Sequence, residues 1–179
     1  MTRHPDLTAP PHGTGPRVAV VREAVWSVDT RAVSDLIHAY LVQTEGEKRE
    51  RQHADPGASE SLPERYRHEV HDPQDAYTDS TVLVAEVDRR AAGVVAVRVL
   101  EGQVEIKRLW ADPDLRGLGV GSALLDAALA LAPGLPVRLS VWEWRASAIR
   151  LYESRGFRSA PSWEDRPGLV CMVRDDGTR

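Results

Sequence analysis

A chain of 179 residues, 42% of them hydrophobic, suits one domain with a buried core. Its formal net charge of -4, with both signs interspersed, excludes the basic stripe of a nucleic-acid surface, and a single cysteine, Cys171, excludes a disulfide framework and a cysteine-built zinc site. No apolar run reaches the roughly 18 residues of a membrane span, so the sequence predicts a soluble, cytoplasmic protein.

Residues 1–16 hold four prolines and no apolar run, which reads as a disordered tail rather than a signal peptide. A short tail at 175–179 leaves 17–174 as the folded domain. The β-branched density of RVAVVREAVWS (Arg17–Ser27) predicts an opening strand. Val33, Leu36, Ile37, Tyr40 and Leu41 recur at helical spacing, so a helix is expected from Thr30 to about Glu47, with Asp29 or Thr30 capping its first turn. Lys48–Ser61 is charged and turn-rich, a mobile or substrate-facing segment. SLPERYRHEV is expected to form a short helix begun by Ser61 with Pro63 in its first turn.

STVLVAEV and AAGVVAVRVL form two strands around the charged turn Asp88-Arg89-Arg90, hence a hairpin. QVEIKRLWA (Gln103–Ala111) adds a strand after the Glu101-Gly102 turn. A glycine-rich loop follows, then a helix to Ala132, a Pro133-Gly134 stop and a strand over Val137–Trp142. RASAIRLYESR continues as a second helix closed by Gly156 at C′, and GLVCMVR (Gly168–Arg174) is the last strand.

The loop carries Gly117, Gly119 and Gly121 and runs straight into the helix. A P-loop needs Lys followed by Ser or Thr after its last glycine, and here Ser122-Ala123 follow. The dinucleotide fingerprint needs G-x-G-x-x-G and a later acidic residue, and the spacing here is G-x-G-x-G. Two readings remain: an anion cradle of backbone N–H groups at a helix N-terminus, or glycines that only permit a tight strand-to-helix turn.

Arg116, Gly119 and Gly121 form R-x-x-G-x-G, preceded by Asp112-Pro113 and followed by Ser122-Ala123-Leu124-Leu125. This resembles the coenzyme A-binding motif of the GNAT superfamily of N-acetyltransferases. Downstream, VWEWRASAIRLYESRGF is similar to that family's later strand-helix segment, with Ala148, Leu151, Tyr152, Gly156 and Phe157 at matching spacings. The resemblance covers roughly residues 17–174, and EIKRLWADPDLRGLGVG further resembles a large bacterial branch. It implies an α/β (α+β) fold with a central mixed, mostly antiparallel twisted sheet of about 6–7 strands and helices on both faces.

The resemblance also implies a reaction: an amine attacks the thioester of acetyl-coenzyme A directly, with no acyl-enzyme. By it, the pyrophosphate lies on the N–H groups of Arg116, Gly117, Leu118, Gly119, Val120, Gly121 and Ser122, and the pantetheine arm pairs with the strand at Leu109 and Ala111, with Trp110 between them. Tyr152 matches the family tyrosine that protonates the leaving thiolate; packing on the sheet is its alternative. Glu105, eleven residues before Arg116, matches the offset of a catalytic glutamate and is the expected general base; an ion pair with Lys107, Arg108 or Arg98 is its alternative. The family commonly has asparagine where this chain has Arg145. An arginine accepts no hydrogen bond, so Arg145 either donates to a pantetheine carbonyl or phosphate oxygen or faces solvent.

His68 and His71 are read as solvated side chains rather than metal ligands, and no metal site is expected. Trp142 and Trp144 share a face if the strand reaches them; with Trp26 and Trp163 they are core side chains or walls of an acceptor pocket offering cation–π contact to an amine. PSWEDRP (Pro161–Pro167), with Glu164 and Asp165, is a candidate substrate-side loop. The reading is therefore an acetyl-coenzyme A-dependent acetyltransferase for a primary amine of a small molecule. A peptide or protein amine and a non-catalytic acyl-coenzyme A-binding module are the alternatives. Neither nucleic acid nor membrane is expected as a partner, and the chain is expected to be a monomer or homodimer.

Overall fold

The computed structural model describes residues 17–51 and 61–175. The tail expected at 1–16, all but Asp175 of that at 175–179, and most of the segment Lys48–Ser61 lie outside the described residues.

The opening strand is shorter than its composition predicts. β1 covers only Val20–Glu23, and a helix of 26 residues, α1, begins at Trp26 and runs to Arg51. The early start follows from Asp29, whose carboxylate accepts the Val25 N–H at 2.7 Å and both terminal nitrogens of Arg22 at 2.6 and 2.9 Å. An otherwise orphaned N-terminal amide is thereby satisfied one turn before the expected cap. At the far end, Gln43–Glu47 and Lys48–Glu45 contacts one turn apart, with basic residues in the last turn, carry the helix beyond Glu47.

After the undescribed residues, a 3-10 turn over Glu64–Tyr66 leads into α2 (Arg67–His71), with Pro63 rather than Ser61 at the capping position. A further short helix, α3 (Pro73–Ala76), was not expected; Asp72 caps it by accepting the Asp75 N–H. β2 (Thr81–Val87) and β3 (Arg90–Leu100) form the expected hairpin. Its turn residues Asp88 and Arg89 both have positive φ, +51° and +66°, the backbone hand that matches strand twist in a two-residue turn. Then come β4 (Gln103–Ala111), a 3-10 turn over Pro113–Leu115, α4 (Val120–Ala130), β5 (Val137–Trp142), α5 (Ala146–Glu153), the unexpected two-residue β6 (Arg158–Ser159) and β7 (Leu169–Arg174).

The seven strands make one sheet in the order β1-β2-β3-β4-β5-β7-β6. Every neighbouring pair is antiparallel except β4 and β5, so the sheet is the mixed, mostly antiparallel one expected. Alternation along the strands divides two cores. Val95, Val97, Val104 and Ile106 face Leu124 and Leu125 of α4 and Tyr152 of α5. Val82, Val84, Val94 and Ala96 face Val33, Ile37 and Leu41 of α1. Gly93 fixes how closely α4 sits: a Cβ there would lie 2.7 Å from the Trp110 carbonyl and 2.9 Å from side-chain carbons of both Val120 and Leu124.

The parallel pairing is brief. Val104 pairs with Val137 and Glu105 with Arg138, and beyond them β4 and β5 diverge. From Ile106 onward the edge of β4 that faces β5 has no strand partner among the described residues, and those backbone groups open on a cleft.

Candidate active site

β4 is bent where it borders the cleft. Val94 lies opposite Trp110 and Ala96 opposite Lys107, so Arg108 and Leu109 together face Val95 in a β-bulge. Arg108 takes φ +56°, uncommon for a long side chain. It is held there by Glu69 of α2, with Nε donating to Oε2 at 2.7 Å and a terminal nitrogen to Oε1 at 2.6 Å. The Tyr77 hydroxyl donates to the same Oε2 at 2.5 Å. Burial pushes the Glu69 carboxyl up, but the Arg108 hydrogen bonds and charge outweigh it and leave Glu69 below the usual carboxylate range. Burial and the neighbouring Glu69 charge raise Tyr77 well above an ordinary phenol.

The cleft has a volume of about 880 Å³ and is lined by the divergent parts of β4 and β5, the glycine loop, α5 and the C-terminal half of α1. Leu109, Trp110 and Ala111 all border it. The Trp110 indole is pinned by its Nε1, which donates to Gln43 Oε1 on α1 at 2.8 Å.

The loop after β4 is organised by Asp112, which accepts the Asp114 N–H at 2.9 Å and an Arg90 nitrogen at 3.0 Å. Gly117 and Gly119 stand at φ +79° and +73°, and a Cβ at either would meet no atom within 4 Å. Their glycine requirement is therefore conformational, not one of space. The first helical hydrogen bond of α4 runs from Ala123 N–H to the Gly119 carbonyl at 2.9 Å, so the N–H groups of Val120, Gly121 and Ser122 precede the helix ladder. Exposed Arg116 beside them has no ion-pair partner among the described residues. Unbonded amides, a helix N-terminus and a free guanidinium together suit a polyanionic group such as a pyrophosphate. Of the expected cofactor-binding residues, Leu118 alone does not border the cleft; its side chain packs on the core.

Tyr152 borders the cleft and is 6% exposed. Its ring meets Phe157 edge-on at 5.9 Å, and its hydroxyl makes no hydrogen bond to another described residue. Burial, then the neighbouring Tyr40, raises its pKa above an ordinary phenol. The helix end that holds it is closed by Phe157 N–H to the Tyr152 carbonyl at 3.2 Å and Gly156 N–H to the Glu153 carbonyl at 3.0 Å, with Gly156 at φ +84°.

Glu105 does not border the cleft. It belongs to the last parallel pair, at the closed end of the diverging strands, where Oε2 lies 3.2 Å from Lys107 Nζ and Oε1 3.1 Å from an Arg138 nitrogen. Its geometry is that of the ion pair, with the expected partner Lys107 and an unexpected one, Arg138, while Arg108 pairs with Glu69 and Arg98 with Asp79. Arg145 lines the cleft but turns toward α1, its Nε donating to Glu47 Oε2 at 2.9 Å and a terminal nitrogen to Thr44 Oγ1 at 2.8 Å. Trp144 Nε1 donates to the same Glu47 oxygen at 2.9 Å. Glu47, Thr44 and Gln43 were absent from the sequence-based site because nothing local to α1 marks residues whose partners lie about 60 to 100 positions away.

The carboxylates that do border the cleft are engaged. Glu47 takes Gln43, Trp144 and Arg145; Glu164 takes Arg166 and Ser140; Asp112 takes Arg90 and the Asp114 amide. Burial raises Glu47 and Glu164, but their hydrogen-bond donors hold both below the usual range. His68 contacts Asp75 at 2.9 Å, and no group of three or more His, Cys, Asp or Glu among the described residues is arranged to hold a metal. No helix among them is long and apolar enough to cross a membrane.

Residues 49–157 match the model of the acetyltransferase (GNAT) family. Over 82 residues the chain is 43% identical to mycothiol acetyltransferase of Clavibacter michiganensis, a match covering 44% of this chain and 27% of that protein. Over 98 residues it is 33% identical to peptidyl-lysine N-acetyltransferase YjaB of Salmonella typhimurium, covering 54% of this chain and 64% of the relative. The chain thus spans less than two thirds of the length of these relatives. The fold superposes on the PaiA N-acetyltransferase of Thermoplasma acidophilum in complex with coenzyme A, with a TM-score of 0.63 and 16% identity over 88% of this chain and 98% of the other.

Proposed function

Because the chain belongs to the acetyltransferase (GNAT) family, we propose that it transfers the acetyl group of acetyl-coenzyme A to a primary amine of a small molecule by direct attack. The observation that carries this reading is the meeting, in one cleft, of an anion cradle at the start of α4 and the Tyr152 hydroxyl. Acetyl-coenzyme A supplies the acyl group as a thioester. The Arg116 guanidinium and the N–H groups of Val120, Gly121 and Ser122 bind its pyrophosphate, the Arg116 N–H itself going to the Pro113 carbonyl, and the open edge of β4 at Leu109 and Ala111 hydrogen-bonds the amides of its pantetheine arm. As the amine nitrogen bonds to the acetyl carbon and the carbon–sulfur bond breaks, Tyr152 gives its proton to the departing thiolate and regains one from water.

Proton removal from the acceptor is assigned to water in the cleft. Glu105 lies outside the cleft and is paired with two cations, and every carboxylate bordering the cleft already has donors. Glu105 holds the closed end of the strand divergence together, and Arg145 braces α1 rather than reaching the pantetheine.

The bridge from Glu47 to Trp144 and Arg145 ties α1 to the β5–α5 connection across the acceptor side. A compact acceptor suits this better than a long polypeptide. A peptide lysine is the second reading, favoured by the name of the Salmonella relative. The test is calorimetric titration with acetyl-coenzyme A, followed by thiol release across an amine panel that includes lysine peptides. Absence of binding sinks the reading; binding without turnover on any amine indicates a non-catalytic acyl-coenzyme A module.

A further inference from the structure

Beyond the transfer centre, a neighbouring lobe of about 300 Å³ shares Lys48, Arg51, Trp142, Trp144 and Arg166 with the cleft. Trp142, the last residue of β5, stacks on Trp144 with ring centroids 4.7 Å apart and planes 14° from parallel. The stack is fixed, because Trp144 Nε1 donates to Glu47. Its faces are already covered by the protein's own cations. Lys48 Nζ lies 4.7 Å from the Trp142 ring centroid, Arg166 6.0 Å from the same ring, and the Arg51 guanidinium 4.9 Å from the Trp144 ring. The tryptophans therefore do not form a cage for the acceptor's ammonium.

The charge count of the lobe points the other way. Four cations, Lys48, Arg51, Arg65 and Arg166, border it with one carboxylate, Glu45. Glu45 is committed to Lys48 at 2.5 Å, Arg65 at 3.5 Å and the Tyr66 hydroxyl at 3.1 Å. Arg166 is paired with Glu164 at 2.7 Å, whereas Arg51 has no carboxylate partner among the described residues. A second cation entering this lobe is repelled, and an anion is offered guanidinium and ammonium donors over an apolar, aromatic floor.

Building on the acetyl-transfer reading, we propose that the acceptor amine carries an acidic group, a carboxylate or a phosphate remote from the reacting nitrogen, and that this group docks among Arg51, Arg166 and Lys48 against the tryptophan pair. The lobe thereby selects the substrate class: small anionic amines rather than neutral amines or polyamines.

The experiment uses matched pairs of amines: an amino acid against its carboxamide, an aminoalkyl phosphate against its amino alcohol, and a diamine as the cationic control. Binding is followed by calorimetry and by intrinsic tryptophan fluorescence, and turnover by thiol release. The expected result is a kcat/KM advantage of about tenfold or more for the anionic member of at least one pair, shrinking as salt rises. The carboxylate and phosphate arms show which anion the lobe takes. Arg51→Gln should reduce the ratio of anionic to neutral kcat/KM, mainly through KM, and Arg51→Lys should restore part of it; unfolding midpoints within a few degrees of the unmodified protein show that both variants fold. Equal binding of anionic and neutral members, a preference for the diamine, or binding of no amine overturns the proposal. Salt-sensitive binding of an anionic amine with no acetyl transfer leaves the anion site standing and removes the transfer reading instead.

Discussion

At Tyr152 the packing that buries the ring also decides its chemistry. The phenol is raised above its ordinary value of about 10 because phenolate is poorly solvated there, so Tyr152 stays protonated through the neutral range, the state in which the proposed transfer uses it as an acid. Tyr152→Phe should lower the chemical step by something on the order of 10²-fold with coenzyme A affinity nearly unchanged. Single-turnover rates and a separate titration check this, and a loss confined to affinity would make the hydroxyl a binding group. Glu105→Gln should leave the shape of the pH–rate profile unaltered, with rates rising toward the acceptor's own pKa. Its cost should appear in stability, up to about 1 kcal/mol for losing the partly solvated pairs with Lys107 and Arg138, read by denaturant unfolding. A rate loss confined to pH values below that pKa would restore Glu105 as the base. Arg116, Gly119 and Tyr152, which border the cleft, were singled out in the sequence because their motif spacing is local. The Glu105 pairing was half legible: Lys107 is two positions away on the same strand, while Arg138 arrives only through the parallel pairing of β4 and β5.

Elements with one strong periodicity were read well. β4 and β5 matched their expected limits, since Val104 and Ile106, then Val137 and Leu139, alternate inward without interruption. The beginning of α1 was misread because Val20, Val21, Val25 and Val28 continue a β-branched pattern across the boundary, and only the Asp29 hydrogen bond to Val25 reveals where the helix starts. The bulge at Arg108 had no sequence signal at all, because a positive φ on arginine is imposed by Glu69 from another element. Glu69→Gln should therefore disturb β4 as well as weaken the fold: a lower unfolding midpoint and looser coenzyme A binding together, by thermal melts with and without ligand. Gly93 makes the corresponding case for α4. Gly93→Ala should cost roughly 1–3 kcal/mol through overpacking, since its Cβ would meet a backbone carbonyl as well as Val120 and Leu124.

At the scale of the whole molecule, the pH dependence of stability in acid rests on carboxylates tied to guanidinium groups. Arg22 holds Asp29 below its usual range through hydrogen bonds that outweigh burial, and Arg108 does the same for Glu69. Because these pKa values are depressed in the folded state, the stabilisation is complete above the unfolded carboxylate range near pH 4 and is lost as pH falls through the lower folded values. Melting temperatures should accordingly hold steady from neutral pH to about 5 and fall below about 4, and Asp29→Asn should flatten that fall. The divergence of β4 and β5 has a further consequence, in the order of events. The anion cradle lines the main cleft and the tryptophan lobe is a neighbouring cavity that shares Lys48, Arg51, Trp142, Trp144 and Arg166 with it, while Cys171, the sole thiol, is buried within the sheet. In the proposed direct transfer, donor and acceptor occupy the protein simultaneously, and Cys171 takes no part in carrying the acetyl group. Initial velocities measured against one substrate at several fixed levels of the other should give converging lines in reciprocal form, and a parallel set would overturn direct attack in favour of a covalent acetyl carrier.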